Sequence, residues 1–156
     1  IAVLQQMGAQ FLINKQSRTL AVQKGSRLKG MRIDVNDFID ALPILAVIGC
    51  FAEGKTELVN GAIARKKESD RISSITCELK KMGASIQETP DGLIIHTSQL
   101  SGAKMNSHHD HRIALSLSVA AIAATSPSSL LYTECIAKTY PSFLSSFPMI
   151  KNNLHP

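Results

Sequence analysis

Apolar and polar positions follow the same arrangement twice along the chain. The segment LQQMGA at residues 4–9 recurs as LKKMGA at residues 79–84. After each copy, two short strand-like runs flank a polar turn, at residues 11–13 and 20–22 in the first copy and at 85–87 and 93–95 in the second. Such pairs of runs predict β-hairpins, and the sequence TPDG at residues 89–92 is a typical turn.

Each predicted hairpin is followed by a polar stretch beginning at a glycine and then by an apolar segment, at residues 41–52 and 113–124. A dozen residues that are apolar on all sides predict a helix buried on every face, and such a helix is too short for a membrane span of about 20 residues. Short strand-like runs follow at residues 56–59 and 129–132.

An amphipathic helix should close each copy. In the first, Ile72, Ile75, Leu79 and Met82 form one apolar stripe, and Gly83 is placed to end the helix. The matching segment at residues 142–150 is less regular and contains Pro148.

The pattern predicts an α/β protein with two units, about residues 9–82 and 83–156, within a single partial domain. Because residues 1–7 resemble the tail of a further amphipathic helix, we expect an upstream unit and interpret the chain as a fragment.

Composition narrows the classes of function. The 156 residues are 44% hydrophobic and 19% charged, which is typical of a soluble globular protein. A net charge of +5 favours anionic partners, whereas 4% aromatic residues and no Trp argue against binding of unpaired nucleic acid. Three cysteines without CxxC spacing, and no signal peptide, favour a cytoplasmic protein with reduced thiols over a disulfide scaffold.

Polar groups at the predicted helix starts are the candidates for chemistry. Asp40 precedes the first buried helix, where an N-cap is the ordinary role of an aspartate. Within residues 65–71, Glu68 is in helical register with the stripe of Ile72 and would point inward among several cations. Whether its pKa is raised by burial or lowered by those cations stays open.

The run HHDHR at residues 108–112 allows three interpretations: a metal site, an anion site centred on Arg112 at a helix start, or a polar loop. Lys138 follows the last strand of the second unit at the place that Lys67 holds in the first. The residues alone therefore indicate an anion-binding α/β repeat protein, either an enzyme or a non-catalytic binding module.

At these same positions the sequence resembles the 5-enolpyruvylshikimate-3-phosphate synthase family. The resemblance covers nearly the whole chain. It rests on LxxMGA at residues 4–9 and 79–84, Asp-Ala at 40–41, RxKESDR at 65–71, DHR at 110–112 and AKTYP at 137–141. Of these motifs, the pair KESDR and DHR is the most specific.

The resemblance implies a two-domain enzyme, each domain built of three βαβαββ units with helices packed inside sheets. This chain would hold about two units of the C-terminal domain. The family transfers the enolpyruvyl group of phosphoenolpyruvate to the 5-hydroxyl of shikimate 3-phosphate in aromatic amino acid biosynthesis, releases phosphate, and is the target of glyphosate. The resemblance further implies no metal or other cofactor, no nucleic acid or membrane partner, a monomeric parent enzyme and a cytoplasmic location.

Residue roles follow from the resemblance, position by position. Asp40 would contact the shikimate hydroxyls and take part in proton transfer, Lys67 would bridge the two substrates and assist as acid or base, and Glu68 would handle the proton at the enolpyruvyl methylene. The phosphoenolpyruvate carboxylate and phosphate would be bound by Arg71, Arg112 and Lys138, together with Lys67.

Two positions depart from the family pattern. Ile63 stands where some members have an Asn that contacts shikimate, and Lys66 stands where a small apolar residue is common. We also expect the chain by itself to be inactive, because the substrates would bind between two domains.

Overall fold

The computed structural model describes residues 1–25 and 27–146, and within these ranges the elements follow one order twice. The strands are β1 Gln10–Asn14, β2 Thr19–Gln23, β3 Arg32–Asp34, β4 Lys55–Val59, β5 Ile86–Thr89, β6 Gly92–His96, β7 Lys104–Asn106 and β8 Ser129–Leu131. The helices are α1 Ala2–Gln6, α2 Leu42–Phe51, α3 Arg71–Lys81, α4 His111–Ala123 and α5 Phe143–Ser146. Three 3-10 helices span Asn36–Ala41, Ala62–Lys66 and Thr133–Lys138.

Both predicted hairpins are present. β1 pairs with β2 in an antiparallel register that sets Phe11 opposite Val22, and β5 pairs with β6 with Ile86 opposite Ile95. The second hairpin also joins the first unit, because β6 pairs antiparallel with β4 and β4 lies parallel to β3. The parallel pair β7 and β8 in the second unit corresponds to β3 and β4 in the first.

The two apolar helices form the centre of the core, where α2 packs against α4 and α3 and against the sheet. The prediction that they are buried on every face is wrong for one face of each. Phe51 of α2 and Val119 of α4 are exposed, and Ile44 and Leu115 are half-buried. The reason is that Ile44, Leu115 and Val119 line an open cavity of about 290 Å³ between the two helices, called here the α2–α4 groove.

The predicted stripe of α3 is confirmed, since Ile72, Ile75, Leu79 and Met82 are fully buried. The helix ends in a Schellman turn, in which Gly83 N–H donates to the carbonyl of Lys80 and Ala84 N–H to that of Leu79. Gly83 has φ +89°, a conformation that glycine adopts without steric cost. The end of α1 repeats these bonds at residues 4–9, which explains the recurrence of LxxMGA.

The second predicted amphipathic helix, at residues 142–150, is described only in part. Residues 143–146 form α5, and residues 147–150 of this prediction lie outside the described residues. The unit boundaries at 9–82 and 83–156 stay a prediction. In the part of the chain that the structure describes, no helix is both long and apolar enough to cross a membrane.

Candidate active site

The six predicted site residues meet at one end of the core. Asp40 lies near the end of the first 3-10 helix, Arg71 and Arg112 lie in the first turns of α3 and α4, and Lys138 ends the third 3-10 helix. Lys67 and Glu68 lie in the short link before α3. Together with two residues that were not predicted, they form the polar cluster, which consists of Asp40, Lys67, Glu68, Arg71, Asp110, His111, Arg112 and Lys138.

Arg71 is the buried centre of the polar cluster, with a side chain only 3% exposed. Its Nε donates to Asp110 Oδ2 at 2.8 Å, and its Nη1 donates to Asp40 Oδ1 at 2.7 Å. Burial disfavours the charged guanidinium, but the hydrogen bonds and charges of Asp110 and Asp40 outweigh it and raise the pKa of Arg71. Arg71 therefore joins the start of α3 to the starts of α2 and α4 as a permanent cation.

Asp110, fully buried, is the main partner of Arg71. The same carboxylate accepts from the backbone N–H groups of Arg112 and Ile113 and from the hydroxyl of Ser69. Burial raises the pKa of Asp110, yet these hydrogen bonds and the charge of Arg71 bring it below its usual range. Asp110 thus caps α4 and neutralises a buried cation at once.

Asp40 does not cap α2, so the N-cap interpretation is wrong. A 3-10 helix runs through Asp40, the cap position belongs to Ala41, and no side chain caps α2. The Asp40 carboxylate turns instead to three cations: Arg71, Arg112 Nη2 at 3.2 Å and Lys67 Nζ at 3.7 Å. Partial burial raises its pKa, but the hydrogen bond from Arg71 and the charges of Arg112, Arg71 and Lys67 lower it overall.

Glu68 lies outside α3, because that helix begins at Arg71 with Asp70 as its cap. The prediction that Glu68 extends the buried stripe of α3 is therefore wrong. Its side chain nevertheless lies in the polar cluster. There it accepts a hydrogen bond from Lys138 and lies 2.6 Å from His111 Nδ1 through Oε2. The sequence left the direction of its pKa shift open; the bond from Lys138, followed by that of His111, lowers the pKa despite partial burial.

His111 and Asp110 were not predicted as site residues. Two signals were available for Asp110: an aspartate directly before an apolar helix is a typical N-cap, and a buried Arg71 needs a carboxylate partner. The run HHDHR included His111 in a candidate metal site, but no local signal predicts its contact with Glu68, which spans 43 residues of sequence.

The histidines of residues 108–111 do not converge on one point. His108 Nε2 lies 2.9 Å from Glu78, the ring of His109 contacts that of Tyr132 at an interplanar angle of 35°, and His111 faces Glu68. Among the described residues, the group with metal-ligand spacing is Glu68, Asp110 and His111, whose ligand atoms lie within 4.8 Å of one another. Both carboxylates are already paired with Lys138 and Arg71, so a metal ion there would have to displace a cation.

The two residues that depart from the family pattern lie on the surface. Ile63 is exposed at 51%, and it lines a depression of about 370 Å³ together with Lys66, Asn36 and Asn60. The contribution of either departure to binding stays a prediction.

The polar cluster is suited to bind an anion and to move a proton beside it. Four cations (Lys67, Arg71, Arg112 and Lys138) face three carboxylates (Asp40, Glu68 and Asp110), which leaves an excess of positive charge. Arg112 Nε has no hydrogen-bond partner among the described residues, so its guanidinium is not saturated by the protein. Arg112 and Asp40 also line the α2–α4 groove, so that an apolar surface continues from the charged groups.

Comparison with known proteins gives concordant matches. The model of the EPSP synthase (3-phosphoshikimate 1-carboxyvinyltransferase) family matches residues 1–147. The 3-phosphoshikimate 1-carboxyvinyltransferase of Chlamydia caviae is 54% identical over 130 residues, which cover 83% of this chain and 28% of that protein. The protein of the same name from Methanocaldococcus jannaschii is 39% identical over 155 residues, which cover 99% of this chain and 36% of that protein.

Solved structures similar to this chain point to the same family and fold. The EPSP synthase of Acinetobacter baumannii superposes with a TM-score of 0.84 at 35% identity, covering 96% of this chain and 38% of that one. The enolpyruvyl transferase NikO of Streptomyces tendae has a TM-score of 0.73 at 18% identity, which shows a shared fold alone. The chain spans about a third of the length of these relatives.

Proposed function

Because the chain belongs to the EPSP synthase (3-phosphoshikimate 1-carboxyvinyltransferase) family, we propose that the full-length protein carrying it transfers the enolpyruvyl group of phosphoenolpyruvate to the 5-hydroxyl of shikimate 3-phosphate. The observation that supports this most directly is the polar cluster, in which all six residues matched to the family motifs come together. Fixed cations and a positioned carboxylate are what an addition and elimination with phosphate departure requires.

Lys67, Arg71, Arg112 and Lys138 bind the carboxylate and phosphate of phosphoenolpyruvate in this proposal. Arg71 is immobilised by Asp110 and Asp40, so it presents a fixed charge, whereas Arg112 and Lys138 are more exposed and accessible to an anion. Such preorganised cations stabilise charge on a leaving phosphate without rearranging during the reaction.

Proton transfers belong to Glu68, Asp40 and Lys67. In the addition step Glu68, protonated beforehand, gives its proton to the methylene carbon, the 5-hydroxyl oxygen bonds to the adjacent carbon, and the hydroxyl proton leaves to Asp40 beside the ammonium group of Lys67. In the elimination step Glu68 removes a proton from the new methyl group as phosphate departs. Glu68 suits this second step because its lowered pKa keeps it ionised, and His111 holds its other oxygen in place.

Substitution of two residues in the full-length protein tests the proposal. Glu68→Ala removes the base and Lys138→Ala removes a phosphate-binding cation, so each should abolish measurable phosphate release from the two substrates. Glu53→Ala and Lys80→Ala remove the same side-chain types from exposed positions outside the polar cluster and should retain near-normal turnover. Near-normal turnover in Glu68→Ala or Lys138→Ala would contradict the proposal.

A monomeric state, a cytoplasmic location and inhibition by glyphosate belong to the same proposal. The location is supported by Cys50, Cys77 and Cys135, which are all free thiols, as expected in a reducing compartment.

A further inference from the structure

Glu78 is a fully buried carboxylate outside the polar cluster. It lies on α3 two turns after Arg71, and therefore on the same face of the helix. Glutamate is rarely buried completely without partners, because loss of water disfavours its charge. The partners of Glu78 therefore indicate what it does.

Lys81 donates to both oxygens of Glu78 at 2.8 Å from within α3. The other two partners belong to the segment that links β7 to α4, called here the 106–110 segment. The backbone N–H of Asn106 donates to Oε2 at 3.0 Å, and His108 Nε2 lies 2.9 Å from Oε1. Burial raises the pKa of Glu78, but the bonds from Lys81, Asn106 and His108 outweigh it, so the group is an anion.

The 106–110 segment has a conformation that needs such support. His108 and His109 have φ of +55° and +56°, and two consecutive residues with side chains are rarely found in the left-handed region. Local bonds contribute, since Asn106 Oδ1 accepts from His108 N–H and Ser107 Oγ accepts from His109 N–H. Those bonds shape the segment, whereas Glu78 attaches it to α3.

Helix α3 therefore holds the segment at two points. At its start Arg71 binds Asp110, and two turns later Glu78 binds Asn106 and His108. Asp110 itself belongs to the polar cluster, and His111 and Arg112 of the same cluster follow it directly in the sequence. A shift of the 106–110 segment would displace all three together.

We propose that Glu78 is a positioning residue of the active site, which holds the 106–110 segment so that Arg71 and Arg112 face phosphoenolpyruvate together. This inference rests on the proposed function. In this proposal Glu78 does not contact a substrate. Glu78 acts on the site through the 106–110 segment.

Kinetics of the full-length protein test the proposal. Glu78→Gln keeps the shape of the side chain but loses the charge that binds Lys81 and His108 together. It should raise KM for phosphoenolpyruvate about tenfold, since small displacements of binding groups have large effects. KM for shikimate 3-phosphate should change by less than about twofold, the scatter of neutral substitutions. A purely structural role would lower the active fraction and leave both KM values unchanged.

Matched variants keep the test informative should Glu78→Gln fold poorly. His108 is partly exposed, so His108→Leu removes the hydrogen bond at little risk to folding, while His108→Gln retains a donor for Glu78. We expect His108→Leu to raise KM for phosphoenolpyruvate and His108→Gln to restore it. Lys80→Met removes a neighbouring exposed cation of α3 that is not among the partners of Glu78, and should leave KM unchanged.

Amide hydrogen exchange of residues 107–112 measures how firmly the 106–110 segment is held, independently of any enzymatic reaction. Exchange should become faster in Glu78→Gln and His108→Leu and stay unchanged in Lys80→Met. Unchanged exchange and KM in the first two variants, or equal effects in Lys80→Met, would overturn the positioning role. Absence of phosphate release by the parent protein, with faster exchange in Glu78→Gln, would overturn the proposed function and leave the attachment of the segment supported.

Discussion

Asp110 serves two helices with one carboxylate, because it caps α4 and neutralises Arg71 of α3. Its folded-state pKa is lowered, so the ionised form stabilises the fold at every pH above the ordinary aspartate pKa of about 3.9. That stabilisation is lost as the pH falls below this value and through the folded-state pKa. Protonation of Asp110 at the start of α4 is therefore one contribution to the acid sensitivity of the fold.

Asp110→Asn should remove this contribution. Breaking a buried ion pair on one side costs about 3 kcal/mol, so the free energy of unfolding in urea at pH 7 should fall by that order. The loss of stability on going from pH 5 to pH 3 should also be smaller in the variant, because the carboxylate that would be protonated is gone. Asp37→Asn makes the same charge change at an exposed position. Equal acid sensitivity of Asp110→Asn and the parent would refute this account.

Individual site residues were predictable only where their signal is local. Asp40, Glu68 and Lys138 were found by position and resemblance, but their partners were not, since Glu68 meets Lys138 across 70 residues of sequence. Asp40 is not the N-cap that was expected, because its carboxylate binds Arg71 and Arg112 instead. The pattern of residues along the chain does not show which groups folding brings together.

At the scale of elements, α3 is the part that the sequence predicts best and on which the site most depends. Its apolar stripe has helical spacing and its end has a glycine, so both the buried face and the stop are local properties. The 3-10 helix Asn36–Ala41 was not predicted, because six residues, interrupted by non-helical backbone at Phe38, are too short to show a period. This omission is what misplaced Asp40 relative to α2.

Gly83→Ala should destabilise the protein by about 1 kcal/mol, because alanine is strained at φ +89° and the turn that ends α3 requires that conformation. Gly83→Asn should cost less, since asparagine tolerates the left-handed region. Gly25→Ala is the control, because a Cβ there meets only ordinary contacts and φ is not positive. Chemical denaturation gives the three free energies, and equal values for Gly83→Ala and Gly25→Ala would contradict the role of the turn.

At the scale of the whole molecule, the α/β fold of enolpyruvyl transferases is confirmed. Two surfaces of the described chain stay open. Leu20 and Val22 on β2 are 50% and 71% exposed, and the α2–α4 groove leaves Val119 uncovered. An edge strand with such residues pairs readily with another strand. In the second unit β6 occupies the place that β2 has in the first. Unlike β2, β6 has β4 paired along its second edge.

The 156-residue chain by itself should show no turnover with phosphoenolpyruvate and shikimate 3-phosphate. It spans about a third of the length of its relatives, and in the proposed function the substrates bind between two domains. A phosphate-release assay on the purified chain, with the full-length protein as control, checks this. Detectable activity that co-purifies with the chain would refute it.

The pairing within the polar cluster has a consequence for how a substrate enters. Arg112 is engaged by Asp40, and Lys138 by Glu68, before any substrate arrives. A phosphate or carboxylate that binds the paired atoms of these two cations takes the place of the protein's own carboxylates, so that one anion is exchanged for another around fixed cations. In each exchange, Asp40 or Glu68 loses a cationic partner, and the pKa of that carboxyl group therefore rises. Occupancy of the site by phosphoenolpyruvate would thus itself strengthen the bases beside it.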